Sequence, residues 1–103
     1  MNEARYQTKL IKRLKEEFPG CVILKNDPSY MQGVPDIIIL FNERWAMLEI
    51  KLDGESSRQP NQEYYIHLLD KMSYASFVNP ENEEDIIYDL QFAFGLVGPS
   101  RIS

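Results

Sequence analysis

The sequence predicts an α/β protein in which helices flank a mixed four-stranded sheet, with the order α-β-β-β-α-β-α. Apolar residues recur every four residues near the N-terminus, as on one face of a helix. Two apolar runs separated by a short polar turn indicate a β-hairpin, and a helix–strand–helix pattern comes after it. A chain of 103 residues is large enough for one core, so we expect a single domain over residues 1–103.

Composition excludes several other classes of protein. The apolar and charged fractions, 44% and 26%, are typical of a soluble globular protein. No apolar run approaches the roughly 20 residues of a membrane span, and the N-terminus lacks the pattern of a secretory signal. The single Cys21 cannot form an internal disulfide and fits a buried apolar position. We therefore expect a cytoplasmic protein with no membrane partner.

The first helix is predicted from about Asn2 to Phe18, and Pro19-Gly20 ends it. Its apolar stripe consists of Tyr6, Leu10, Leu14 and Phe18. Cys21 to Lys25 is predicted as a short strand. Asn26 to Pro35 is rich in turn-forming residues and is predicted as a loop.

Asp36–Phe41 and Trp45–Leu52 are predicted as the two strands of the hairpin. Ile37 to Phe41 is apolar at every position, which favours a strand in a sheet covered on both faces. Residues 53–57 are predicted as a loop.

Pro60 suits the first turn of a helix that runs to about Lys71, with Ile66 and Leu69 facing inward. Tyr74–Val78 is predicted as a strand. Asn79-Pro80 is typical of an N-cap followed by a first-turn proline, and the acids after it suit a helix N-terminus. This last helix carries Ile86, Ile87, Leu90 and Phe94.

The hairpin carries three charged residues with a shared orientation. Side chains alternate across a strand, so Glu49 and Lys51 lie on one face and Ile50 on the other. A two-residue turn at Asn42-Glu43 places Asp36 opposite Glu49, and a turn at Glu43-Arg44 places it opposite Lys51. Either register brings the three charges together on one face.

Two adjacent carboxylates repel each other unless a cation lies between them. Mg²⁺ prefers oxygen ligands, and we expect Asp36, Glu49 and the backbone carbonyl of Ile50 to provide them. Such an ion activates water and polarises a phosphodiester, and Lys51 can stabilise the developing negative charge. The alternative is an ordinary Glu49–Lys51 ion pair with Asp36 capping the loop.

Gly33-Val34-Pro35-Asp36, the apolar run and Glu49-Ile50-Lys51 resemble the PD-(D/E)XK nuclease signature, and most closely its VRR-NUC branch, which is related to Holliday-junction resolvases. The resemblance covers nearly the whole chain and implies a restriction-endonuclease-like core. It implies a DNA endonuclease that uses Mg²⁺ or Mn²⁺, selects branched or four-way-junction DNA and acts as a homodimer. Asp36 and Glu49 match the metal-binding acids, and Lys51 matches the catalytic lysine. Gln62 matches a helix glutamine near the active site, and the resemblance implies a catalytic role for it. Glu3 matches an acid on the first helix, and the resemblance implies that it is a further metal ligand.

The charge distribution bears on DNA binding. The net charge of −5 weakens the nuclease interpretation, but residues 1–25 are net basic and residues 81–89 are acidic. Candidates for phosphate contacts are Lys9, Lys25 and Arg58. Gln32 stands where family members often have a basic residue, and this departure puts one phosphate contact in doubt.

The expected partners are DNA and a second copy of the chain, with Leu90 to Phe94 as one candidate dimer surface. No small-molecule cofactor is expected. The alternative functions are a catalytically silent nucleic-acid-binding module with a nuclease-like fold and a small interaction protein. A short nuclease is also compatible with a phage product acting in the host cytoplasm.

Overall fold

A computed structural model describes residues 1–52 and 59–96. The elements, in chain order, are α1 (Glu3–Glu17), β1 (Val22–Lys25), β2 (Ile37–Phe41), β3 (Arg44–Ile50), α2 (Pro60–Met72), β4 (Tyr74–Val78) and α3 (Glu83–Ala93). The predicted order α-β-β-β-α-β-α is confirmed, and each predicted element lies within about three residues of its observed bounds. The loop predicted at residues 53–57 lies outside the described residues.

The four strands form one mixed sheet in the spatial order β1-β2-β3-β4. β1 pairs with β2 and β2 with β3 in antiparallel fashion. β3 and β4 are parallel, and the connection between them contains α2. A parallel pair needs such a crossover, which explains why this helix interrupts the run of strands.

α1 begins where Asn2 caps it, since the Asn2 side chain accepts a hydrogen bond from the backbone N–H of Arg5 at 2.9 Å. The chain leaves the helix through Gly20, whose φ of +90° favours glycine. The predicted apolar stripe is confirmed, because its four members are buried: Tyr6, Leu10, Leu14 and Phe18.

α1 and α3 are joined by polar contacts as well as by the core. The Tyr6 hydroxyl donates a hydrogen bond to Glu83 at 2.7 Å, and the Arg13 guanidinium contacts both Glu83 and Glu84 at 2.7 Å. Burial, followed by the contact with Glu83, raises the pKa of Tyr6. Because these acids occupy Arg13, it contributes less to the basic surface of α1 than its charge suggests.

One face of the sheet is covered at its centre. Its central side chains belong to the same buried core as the apolar side chains of α1 and α3, and they are Ile37, Ile39, Ala46, Leu48 and Ile50. The apolar residues predicted for α3 are buried there as well: Ile86, Ile87, Leu90 and Phe94. Burial of Leu90 and Phe94 makes them unavailable for a dimer contact, so the candidate surface at Leu90 to Phe94 is wrong at these two positions.

The opposite face is only partly covered, by α2. Val22 and Leu24 on β1 are 51% and 52% exposed, and no residue of α2 is fully buried. The inward-facing residues predicted for α2, Ile66 and Leu69, are half-buried. The expectation of a sheet covered on both faces is therefore wrong at this face, because α2 packs over β3 and β4 and leaves β1 open.

The last helix begins later than predicted. Asn79 does not cap it: the Asn79 side chain accepts hydrogen bonds from the backbone N–H groups of Glu81 and Asn82 at 2.9 and 2.8 Å. These bonds form a turn, and the N-cap of α3 is Asn82. The prediction failed because asparagine satisfies a turn in the same way as it satisfies a helix end.

Within the described residues, no helix is long and apolar enough to cross a membrane.

Candidate active site

The register of the hairpin brings the predicted acids together. Phe41 pairs with Arg44 and Ile37 with Leu48, so the turn is Asn42-Glu43, one of the two predicted possibilities. Continuing this register by one residue places Asp36 opposite Glu49. Both acids lie at the end of the sheet face that carries Met47, because side chains two residues apart share a face.

Asp36 is held by the strand opposite and by the end of β1. Its Oδ2 accepts a hydrogen bond from the backbone N–H of Ile50 at 2.8 Å. Asn26 donates its backbone N–H to the Asp36 carbonyl at 2.8 Å and its side-chain amide to the Pro35 carbonyl at 2.9 Å. Burial raises the pKa of Asp36, although the bond from Ile50 acts in the opposite direction. The carboxyl group therefore has a fixed position.

Glu49 is buried, with 4% of its surface exposed. Its Oε2 accepts a hydrogen bond from the Gln62 side-chain amide at 3.0 Å. Its Oε1 is also buried and has no hydrogen-bond partner among the described residues. Burial first, and then the negative charge of Asp36, raises the pKa of Glu49 to about 7. A buried carboxylate with one unsatisfied oxygen is costly, which indicates that this atom is suited to bind a cation or a hydrogen-bond donor.

Lys51 contributes positive charge to the same site. It follows Ile50 at the end of β3 and is half-buried, and its backbone N–H donates to the carbonyl of Val78 at 3.0 Å. Its charge lowers the pKa of both Asp36 and Glu49, against the larger effect of burial. The three predicted hairpin residues therefore interact electrostatically.

Glu3 lies at the start of α1 and is exposed. Its charge contributes to the raised pKa values of Asp36 and Glu49, so α1 begins near the acid pair. No group of three or more acidic, histidine or cysteine side chains in residues 1–52 and 59–96 is arranged to hold a metal ion. Glu3 as a third metal ligand stays a prediction.

Gln62 lies in the first turn of α2, and both ends of its side-chain amide are engaged. Its Oε1 accepts from the backbone N–H of Gln59, the N-cap, at 3.1 Å, while its Nε2 donates to Glu49. This capping arrangement fixes the orientation of the amide relative to the helix end. Gln62 therefore orients Glu49, as a residue supporting the acid pair.

The acid pair offers the oxygen donors that a hard divalent cation prefers. Mg²⁺ is commonly bound through one or two carboxylates, with water and substrate phosphate completing its ligands. Glu49 Oε1 is an acceptor without a partner among the described residues, and a neighbouring cation would relieve the repulsion between the two acids. The backbone N–H of Ile50 donates a hydrogen bond to Asp36. The role of the Ile50 carbonyl as a metal ligand stays a prediction.

The candidate phosphate contacts lie on different elements. Lys9 is exposed on α1, and Lys25 is exposed at the end of β1, paired in register with Ile37 next to Asp36. Arg58 lies outside the described residues. Lys25 is therefore next to Asp36 in register, on the sheet face that carries Ile37.

Sequence reasoning missed Asn26. Its two bonds join the end of β1 to Pro35 and Asp36, and its amide also contacts the Met47 sulfur at 3.9 Å. The signal was an amide residue directly after a strand, where side-chain hydrogen bonds to a neighbouring loop are common.

A comparison with protein-family models gave no match, and neither did a comparison with curated proteins. Among solved structures, the chain is similar to a VRR_NUC domain protein with a TM-score of 0.63 and 22% sequence identity. The similarity covers 88% of this chain and 86% of the other. The protein therefore has a VRR-NUC nuclease-like fold.

Proposed function

We propose that the protein is a metal-dependent endonuclease that hydrolyses DNA phosphodiester bonds. The observation that carries this proposal is the pair of half-buried Asp36 and buried Glu49 beside Lys51, with one oxygen of Glu49 left without a partner among the described residues. An ordinary ion pair would leave no such oxygen in a buried position. The nuclease-like fold supports the same chemistry.

In this proposal Asp36 and Glu49 hold Mg²⁺ or Mn²⁺. When bound, such an ion polarises the phosphodiester and lowers the pKa of water. Asp36 is fixed by the Ile50 N–H, and Glu49 by the Gln62 amide, so both carboxylates are oriented before substrate binds. Lys51 places a positive charge beside the acids, where it stabilises negative charge that develops on the phosphate.

DNA binding requires positive charge despite the acidic total. α1 exposes Arg5, Lys9, Lys12 and Lys15, and Lys25 is exposed next to the site in register. These groups can neutralise backbone phosphates and position the duplex, while the acidic start of α3 is partly occupied by Arg13. Selectivity for branched or four-way-junction DNA is proposed from the resemblance of the Gly33 to Lys51 segment to the VRR-NUC motif.

We further propose that the active form is a homodimer. The half-exposed apolar side chains of Val22 and Leu24, on the partly covered face of the sheet, support it. A twofold axis would double the phosphate contacts that this small chain can make.

The test is cleavage of linear, nicked, flap and four-way-junction DNA, each with and without Mg²⁺ or Mn²⁺. We expect metal-dependent cutting, fastest on branched substrates. Asp36→Asn and Lys51→Ala should each lower the rate by at least about a hundredfold, since each removes a charge at the reacting phosphate. Glu16→Gln on α1 and Lys71→Ala near the end of α2, which change exposed side chains that have no role in this proposal, are the matched controls.

Unchanged cutting by Asp36→Asn would contradict the site assignment. If no substrate is cut but branched DNA still binds, the protein is instead a binding module with a nuclease-like fold.

A further inference from the structure

The loop that carries Asp36 approaches the helix that carries Gln62 closely at Gly33. Gly33 has a φ of +90°, and a Cβ atom built on it would lie 2.4 Å from the Cβ of Asn61. The same atom would lie 2.9 Å from the Asn61 carbonyl carbon and 3.1 Å from its oxygen. Two of these three contacts are to backbone, so the approach leaves no room for a methyl group unless α2 or the loop moves.

This contact lies between the two halves of the candidate site. Gly33 is three residues before Asp36, and Asn61 directly precedes Gln62 in the first turn of α2. The Gln62 amide is bonded at one end to Gln59 and at the other to Glu49. Because the bond to Gln59 fixes the amide on the helix, moving the first turn moves the donor away from Glu49. Hydrogen bonds weaken steeply with such displacements.

We propose that Gly33 is a positioning residue. Its lack of a side chain lets the first turn of α2 pack against the loop, and this contact holds Gln62 against Glu49. Gly33 acts through Gln62 and touches neither substrate nor metal. The effect on turnover rests on the proposed nuclease function, whereas the effect on the Gln62–Glu49 contact does not.

Gly20 provides a matched control. It has the same φ of +90°, but a Cβ atom there would meet nothing within 4 Å. Gly20→Ala therefore imposes the same kind of backbone strain without a steric clash. Any difference between the effects of Gly33→Ala and Gly20→Ala therefore reports the steric contact with Asn61 and not the backbone strain that both variants share.

The first measurement is the side-chain amide signal of Gln62 in an ¹H–¹⁵N NMR spectrum of the metal-free protein, assigned by its loss in Gln62→Ala. We expect Gly33→Ala to move this signal to the position of a solvent-exposed glutamine, and Gly20→Ala to leave it in place. Adding Asn61→Gly, which removes the closest of the clashing atoms, should return the signal partway. If Gly33→Ala alone does not fold, this double variant is compared with Asn61→Gly instead.

The second measurement is cleavage of the best DNA substrate. We expect Gly33→Ala to lower kcat about tenfold to a hundredfold with little change in KM, as a misplaced supporting group does. In a protein that already carries Gln62→Ala, Gly33→Ala should lower kcat almost no further, because both changes act through the Gln62–Glu49 contact. Gly20→Ala should show no such dependence on Gln62.

Two results would overturn the proposal. One is a Gln62 signal that is identical in folded Gly33→Ala and wild-type protein. The other is a double variant whose fold-loss in kcat equals the product of the losses in Gly33→Ala and Gln62→Ala. If the wild-type protein cuts no DNA, the proposed function fails, and the NMR comparison still decides the role of Gly33.

Discussion

Glu49 is a buried carboxyl group whose ionised form is energetically unfavourable. It is buried, its neighbour across the hairpin is another acid, and one of its oxygens lacks a partner in the part of the chain that the structure describes. These conditions raise its pKa from the ordinary 4.5 to about 7. A residue chosen for stability alone would not carry this cost, which supports a functional role for the carboxylate.

The raised pKa predicts how stability depends on pH. The folded protein binds the Glu49 proton more tightly than the unfolded chain, so this contribution is fully present below pH 4.5 and is lost as pH rises through about 7. In metal-free buffer, we expect Glu49→Gln to be about 2–3 kcal/mol more stable than wild type near pH 8. This difference in the free energy of unfolding between the two proteins should become small near pH 5. Urea unfolding with a chelator at both pH values measures it.

Glu16→Gln is the control for this comparison, because Glu16 is exposed on α1. Its free energy of unfolding should match that of wild type at both pH values. A Glu49→Gln protein that is less stable than wild type near pH 8 would show that the buried charge has a compensating partner.

At the scale of elements, the β2–β3 turn decides which groups meet at the site. A two-residue turn at Asn42-Glu43 sets the register that places Asp36 opposite Glu49. Asn42 adopts a φ of 56°, in the left-handed region where asparagine and glycine are favoured. A one-residue shift in the register set by this turn would place every side chain of one strand on the opposite face relative to the other strand.

Asn42 is therefore a test of the hairpin. We expect Asn42→Val to lower the free energy of unfolding by about 1–2 kcal/mol, since a β-branched residue is strained at this φ. Asn42→Gly, which tolerates the same backbone angle, should stay within about 0.5 kcal/mol of wild type. Thermal or urea unfolding measures both. Equal losses in the two variants would mean that the Asn42 side chain, and not its backbone angle, stabilises the turn.

Local periodicity is the part of the structure that the sequence predicts well. Alternation along β2 and β3 placed Asp36, Glu49 and Lys51 on one face, and the four-residue spacing in α1 identified its buried stripe. Contacts that depend on how distant elements approach were not predicted. The fit of Gly33 against Asn61 and the bonds from Asn26 require the loop, the sheet and α2 to be placed together. The start of α3 was misplaced because Asn79 has two equally good local roles.

At the scale of the whole molecule, the two faces of the sheet differ. α1 and α3 bury one face, whereas the other carries two cross-strand rows of apolar side chains that α2 covers incompletely. The register gives these rows as Val22, Leu40 and Trp45, and Leu24, Ile38 and Met47. An apolar surface that continues to an exposed edge strand is a candidate protein interface. Because these rows carry no charge, the same surface of a second copy can pack against it without like-charge repulsion.

The proposed homodimer can be tested on this surface. Leu24 on β1 and Phe92 on α3 are exposed to a similar extent, 52% and 48%, but lie on opposite sides of the sheet. We expect Leu24→Asp to raise the dimer dissociation constant at least about a hundredfold, because it buries a charge among apolar side chains. Phe92→Asp should leave it unchanged. Sedimentation velocity over a range of protein concentrations measures both constants. Dissociation by Phe92→Asp but not by Leu24→Asp would move the interface to α3, and a wild-type monomer at every concentration would exclude the dimer.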